Sequence, residues 1–195
     1  MDIKELKIGF AFTGAYCVFD LVFPELKNLV AEGAEVVPIV SFHVAETDSR
    51  YGNAADFLLK MNLITGNEVV KTITSAELLN KNLKPIDILV IAPCTASTLS
   101  KLTDGDSDTP VLMIAKEQFR NNKPVVLGIA TNDGLGLSAK NIGILLATKN
   151  VYFIPFGQDN YETKPNSLIA RFDLLQSTVL EAIQGRQYQP VLEKF

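Results

Sequence analysis

The chain has 195 residues, 47% of them apolar and 21% charged, with a formal net charge of -4 at pH 7. That length suits a single well-buried domain over residues 1–195, and mild acidity without a basic cluster argues against a nucleic-acid backbone as partner. No apolar run reaches the roughly 18 residues of a membrane span, and Met1 to Lys7 lacks the basic-then-apolar order of a secretory signal, so a cytoplasmic protein is expected.

Lys7 to Phe12 is the first of several short apolar runs that read as buried strands. Thr13-Gly14-Ala15-Tyr16 follows it. From about Tyr16 to Glu32, Val18, Leu21, Val22, Leu26, Leu29 and Val30 recur at steps of three and four, which places them on one helical face. Gly33 stands where a left-handed residue ends such a helix, and Pro24, beyond the first turn, marks either a kink or a one-residue shift of the boundary. Glu35 to Val40 predicts the second strand, followed by Ser41-Phe42-His43, a helix over Asn53 to Met61 and a weaker strand over Val69 to Ile73.

Ile86 to Ile91, bounded by Pro85 and Pro93, predicts another buried strand, and it empties into Ala92-Pro93-Cys94-Thr95-Ala96-Ser97-Thr98-Leu99-Ser100-Lys101. Helices are expected over Ser97 to Thr103 and Val111 to Asn121, with Pro110 suited to a first turn. Pro124 to Ile129 predicts a strand ending in Thr131-Asn132-Asp133-Gly134, then a helix over Leu137 to Thr148 and a strand over Val151 to Ile154. A polar loop, Gln158 to Asn166, precedes a last helix over Ser167 to Gln184, and a loop of that length in a compact fold is often functional. The alternation predicts an α/β fold: a three-layer, Rossmann-like or flavodoxin-like open parallel sheet with helices on both faces.

In such sheets ligands bind beyond the carboxyl ends of the strands, where the strand order reverses. Small, hydroxyl and amide residues dominate those ends here, and helices that begin there add partial positive charge, so a phosphate is the natural occupant. The same Ser and Thr residues also make ordinary helix caps. Neither GxGxxG nor GxxxxGK[ST] is present. The two cysteines, Cys17 and Cys94, lie far apart and are expected as free thiols; with His43 as the only histidine, no metal site is expected.

Together these strand ends resemble the flavoprotein family of homo-oligomeric flavin-containing cysteine decarboxylases and their relatives. In that family a Gly-Ser or Gly-Ala turn follows the first strand, a Ser or Thr the second, and Pro-x-Ser/Thr-Ala-Asn-Thr-x-x-Lys a later one. Gly14-Ala15, Ser41 and Pro93 to Lys101 stand at those places, with Ser97 replacing the usual Asn, and Gly105 and Asp108 resemble the continuation of the motif. Two departures argue against cysteine decarboxylation. Ala76 to Leu83 holds no histidine where the decarboxylases carry a catalytic one, and Ile129 to Gly136 keeps only Asn132 of their Pro-x-Met-Asn-x-x-Met-Trp. Leu102 to Ser167 and Ile8 to Gly14 are similar instead to the branch of the family that makes pyridine-2,6-dicarboxylate in sporulating bacteria with a dehydrogenase-like second subunit.

The resemblance implies FMN as cofactor, held by Thr13, Gly14, Ala15, Ser41, Pro93, Thr95, Ala96, Ser97 and Thr98. Lys101 either reaches the phosphate or pairs with Asp104 or Asp108. Oxidation of a dihydropyridine dicarboxylate is the implied chemistry, with Asn132 positioning a carboxylate or the flavin edge and His43 as general acid or base. Arg50, Lys164 and Arg171 are expected to receive the two carboxylates of the small-molecule substrate. The resemblance also implies a homo-oligomer, since relatives form trimers or multiples of trimers, in the mother-cell cytoplasm of a spore former. The alternatives are a flavin-dependent decarboxylase of the same family and a cofactor-free scaffold or activator of a dehydrogenase subunit.

Overall fold

The computed structural model describes residues 2–80 and 85–193. Its centre is a parallel sheet whose strands are β1 (Lys7–Phe12), β2 (Glu35–Val40), β3 (Ile88–Cys94), β4 (Val125–Thr131) and β5 (Val151–Phe153). β1 lies between β2 and β3, and β4 follows β3. Every residue of β1 and β3 is buried, as expected of strands covered on both faces.

Helices α1 (Phe19–Ala31), α2 (Phe42–Glu46), α3 (Ala54–Thr65), α4 (Ile73–Asn80), α5 (Ala96–Asp104), α6 (Pro110–Arg120), α7 (Ala139–Leu146) and α8 (Leu175–Ala182) complete the layers. α1 packs beside α8, and α4 beside α6. A 3-10 turn over Tyr16–Val18 leads into α1. Gly33 ends α1 at φ +91°, the left-handed geometry that only glycine adopts without cost. Pro24 stays inside the helix, and Pro110 opens α6 as expected.

Several stretches differ from expectation, among them α4 and the strand over Phe156–Gln158, neither of which the sequence pattern announces. Val69 to Ile73 is not a strand: only Val70 bridges to Ile39, and the chain turns into α4 at Ile73. α2 was not predicted, because five residues are too few to display a period. Ser167 to Gln184 is not one helix but a strand, β7 (Leu168–Ala170), a 3-10 turn (Phe172–Leu174) and then α8. The cause is non-local. β5 pairs with β4 only from Val125 to Leu127, and the edge of β4 beyond it takes β7 antiparallel, with Ala130 opposite Ile169 and Thr131 opposite Leu168. β6 (Phe156–Gln158) then pairs antiparallel with β7, which makes the sheet mixed and hangs the 159–167 loop beside the carboxyl end of β4.

An aromatic cluster lies under the same end of the sheet. Phe12 meets Phe19 at 5.3 Å and Phe23 at 5.1 Å between ring centroids, and Phe19 meets Phe57 at 5.1 Å. Tyr16 joins the cluster, 5.2 Å from Phe19 and 5.8 Å from Phe57, so its ring is held by packing while its hydroxyl reaches the surface.

Candidate functional site

The strand order reverses between β1 and β3, so the crevice expected to bind a ligand opens between Thr13-Gly14 and Pro93-Cys94-Thr95. Thr13 ties the two ends together: its hydroxyl donates to the Pro93 carbonyl at 2.7 Å and accepts from the Thr95 amide at 3.1 Å. The register of β3 against β4 shifts between Ile91 and Cys94, a bulge that re-aims the chain as it leaves the sheet. Thr95 then caps α5. Its hydroxyl accepts from the Thr98 amide at 3.4 Å and shares a 3.0 Å bond with the Thr98 hydroxyl.

Two cavities meet at this turn, with Gly14, Tyr16, Thr95 and Ser97 lining both. The first, about 520 Å³, adds Ala15, Cys17, Ala96, Arg50, Tyr51, Asn132, Asp133, Asp159 and Lys164. The second, about 550 Å³, adds Thr13, Ser41, His43, Thr98, Lys101 and Asp108. Both volumes lie in the range of small-molecule and cofactor sites.

The second cavity is rich in hydroxyl donors. Ser41 stands at the N-cap of α2, yet its side chain makes no capping bond, and its Oγ is buried with no hydrogen-bond partner among the described residues. A cap role therefore does not account for it, and a buried hydroxyl left unpaired is unfavourable. Ser97 is exposed at the turn shared by the two cavities. Lys101 pairs with Asp108 at 2.5 Å, the structural alternative foreseen from the sequence. His43 lies here and not beside Asn132, so the two expected catalytic residues stand in different cavities. Tyr16 braces the wall by donating to the His43 carbonyl at 2.7 Å, and burial, aided by Asp48, holds its phenol above the usual range.

The first cavity carries charge. Arg50 donates to the Tyr51 hydroxyl at 2.7 Å, its guanidinium lies 4.9 Å from the Tyr51 ring centroid, and among the described residues it pairs with no carboxylate. Lys164 pairs with Asp159 at 2.7 Å, and that hydrogen bond raises its ammonium pKa. Asp133 accepts from Thr131 Oγ1 at 2.7 Å and Ser138 Oγ at 2.8 Å; these two hydroxyls hold its carboxyl below the usual range and shape the turn that presents Asn132. Gly134 is required in that turn, because a Cβ there would sit 2.6 Å from Leu168.

Two expected site residues take other places, and a third is in place but already committed. Pro93 is buried and lines neither cavity; its carbonyl serves the bond from Thr13. The Thr13 hydroxyl lines the second cavity but has already given its one proton to Pro93, so it cannot also donate to a phosphate oxygen. Arg171 lies outside both cavities, where Asp173 and Glu193 take up its charge and raise its pKa. Sequence reasoning passed over Tyr16, Tyr51, Asp133 and Asp159; for Asp159 the polar loop was the available signal. Cys17 is an exposed free thiol on the first cavity, while Cys94 is a buried one whose thiol pKa is pushed up by desolvation.

A mixed, mostly parallel α/β sheet with hydroxyl-lined cavities at its switch point places the chain in a Rossmann-like class of fold, and the chain belongs to the Flavoprotein family, which it matches over residues 1–163. It is 48% identical over 191 residues, 98% of this chain and 95% of the relative, to the B subunit of dipicolinate synthase from Bacillus subtilis (strain 168). The crystal structure of the B subunit of dipicolinate synthase from Bacillus halodurans C superposes with a TM-score of 0.89 at 46% identity, with all of both chains covered. Burkholderia xenovorans DmrB in complex with FMN shares the fold, with a TM-score of 0.65 at 16% identity over 92% of this chain and 96% of that one. Among the described residues no helix is long and apolar enough to cross a membrane.

Proposed function

We propose that this protein is the FMN-binding component of a two-component dipicolinate synthase. It helps oxidise a dihydrodipicolinate-type intermediate to pyridine-2,6-dicarboxylate during sporulation, in the mother-cell cytoplasm. Its partner is the dehydrogenase-like second polypeptide of dipicolinate synthase, and the chain forms a homo-oligomer. The observation that carries the cofactor half is the buried Ser41 hydroxyl, unpartnered at the wall of a cavity that Ser97 and Thr98 also line. The substrate half rests on the 48% identity to a protein named for dipicolinate synthesis and on the two cations of the adjoining cavity.

The residues present fit a flavin mononucleotide. Ser41, Ser97 and Thr98 would donate to the phosphate and ribityl oxygens, with Lys101 and His43 nearby, while Gly14, Ala15 and Ala96 leave room at the crevice for a flat ring. Each hydrogen bond to a charged phosphate oxygen contributes about 1.5–3 kcal/mol. FMN, when bound, would supply a hydride acceptor for the dihydropyridine, whose second hydrogen leaves as a proton to water as the ring becomes aromatic. The protein's share is placement: Arg50 and Lys164 hold the carboxylates, Asn132 orients the ring from the β4 turn, and the walls exclude water. His43 lines the second cavity, on the phosphate side, and stands apart from Asn132 in the first.

Titrating purified protein with FMN and following the visible absorbance tests this reading, with Thr98→Val alongside. Saturable perturbation of the flavin band, weakened about tenfold or more in the variant, is expected. No perturbation at high flavin concentration would overturn the cofactor assignment and favour the scaffold role.

A further inference from the structure

The first cavity holds a carboxylate of its own where the substrate is proposed to place one. Arg50 has no carboxylate partner among the described residues, whereas Lys164 is already paired with Asp159 at 2.7 Å. The other nearby carboxylate, Asp133, is turned toward Thr131 and Ser138 and does not compete for Lys164. The two cations are therefore unequal: one is open to an incoming anion and one is occupied.

We infer that Asp159 is an internal stand-in for the second carboxylate of an aromatic dicarboxylate, released from Lys164 when that ligand binds, and that it sets how strongly the site prefers two carboxylates over one. The inference rests on the first cavity being the substrate site. Its geometry permits the exchange. The pair is only partly withdrawn from water, with side chains 56% exposed for Lys164 and 34% for Asp159, and such pairs are weak enough to be replaced. The loop does not depend on the pair for its shape. The Asp159 amide donates to Ser167 O at 3.2 Å, Lys164 N to Asn160 O at 2.7 Å, and Gln158 Nε2 to Pro165 O at 2.9 Å. Asn160 Oδ1 also accepts from the amides of Glu162 and Thr163 at 3.1 and 3.0 Å. The carboxylate can swing away while the backbone holds Lys164 in place.

A monocarboxylate satisfied by Arg50 alone is indifferent to Asp159. A dicarboxylate must displace it from Lys164, so removing the charge of Asp159 should help the dicarboxylate selectively. Isothermal calorimetry on the FMN-loaded full chain, with pyridine-2,6-dicarboxylate and pyridine-2-carboxylate as probes, reads this directly. Asp159→Asn is expected to tighten the dicarboxylate about threefold to tenfold and leave the monocarboxylate within about twofold. Lys164→Gln should weaken the dicarboxylate, and adding Asp159→Asn to it should give a smaller gain than Asp159→Asn gives in the wild type, since no cation is then left to compete for.

Equal shifts for both acids, no shift for either, or a weakened dicarboxylate in Asp159→Asn would overturn the inference while leaving the substrate site intact. A wild-type protein that binds neither acid would overturn the substrate site itself. Circular dichroism of each variant separates these results from misfolding, which would weaken both acids together.

Discussion

Replacing Ser41 with alanine separates a structural role from a ligand-binding one, because the two predict opposite signs. The Ser41 amide donates to Phe12 O at 3.0 Å and its carbonyl accepts from the Ala45 amide at 3.0 Å, so the backbone is fully engaged and unaffected by the substitution. The hydroxyl is buried and unpartnered. An unpaired buried hydroxyl costs about 1–3 kcal/mol, partly offset by the packing its atom supplies, so Ser41→Ala is expected to leave stability unchanged or raise it by up to about 1 kcal/mol. If the hydroxyl donates to a charged phosphate oxygen in the complex, its loss removes about 1.5–3 kcal/mol of binding, which weakens FMN about 10-fold to 150-fold. Urea denaturation of the flavin-free protein and an FMN titration of the same preparation measure both. A variant that binds FMN within twofold of wild type would refute the assignment. A loss of stability above about 1 kcal/mol would show that the hydroxyl has a partner within the protein.

Other consequences follow from the same contacts. Thr13→Val removes a buried hydroxyl that serves both the Pro93 carbonyl and the Thr95 amide; urea unfolding should show a loss of about 2–4 kcal/mol, with Thr13→Ser retaining most of it. The carboxyl of Asp133 has its pKa lowered by Thr131 and Ser138 in the folded state, so the stability it contributes is present above its unfolded pKa and is lost as pH falls through the folded one. The difference in stability between wild type and Asp133→Asn should therefore be constant near neutral pH and shrink below about pH 4, as read by urea titrations across that range. Cys17, exposed on the first cavity, should alkylate with iodoacetamide in the native protein, whereas buried Cys94 should react only after unfolding. Mass spectrometry of the labelled peptides checks both, and pyridine-2,6-dicarboxylate should slow labelling of Cys17.

Periodicity and residue chemistry were enough to read the parallel core from the sequence. The runs Lys7–Phe12, Glu35–Val40, Ile86–Ile91 and Pro124–Ile129 announce buried strands because both of their faces are covered, and the hydroxyl residues that follow them mark the ligand edge whatever the exact pairing. What periodicity could not supply was the partner of each group. The edge of β4 beyond β5 converted the start of an expected helix into β7 and carried Asp159 and Lys164 to the first cavity. Hydrogen bonds across 80 and 82 residues of sequence committed the hydroxyl of Thr13, while the equally plausible Ser41 was left without one. Arg171, chemically suited to a carboxylate, found two carboxylates of its own away from the site. The sequence by itself determined the fold class and the chemical character of the strand ends, since burial pattern and side-chain type are local properties. Only the tertiary structure decided which hydroxyls and cations remain available to a ligand, because availability depends on partners brought together by folding.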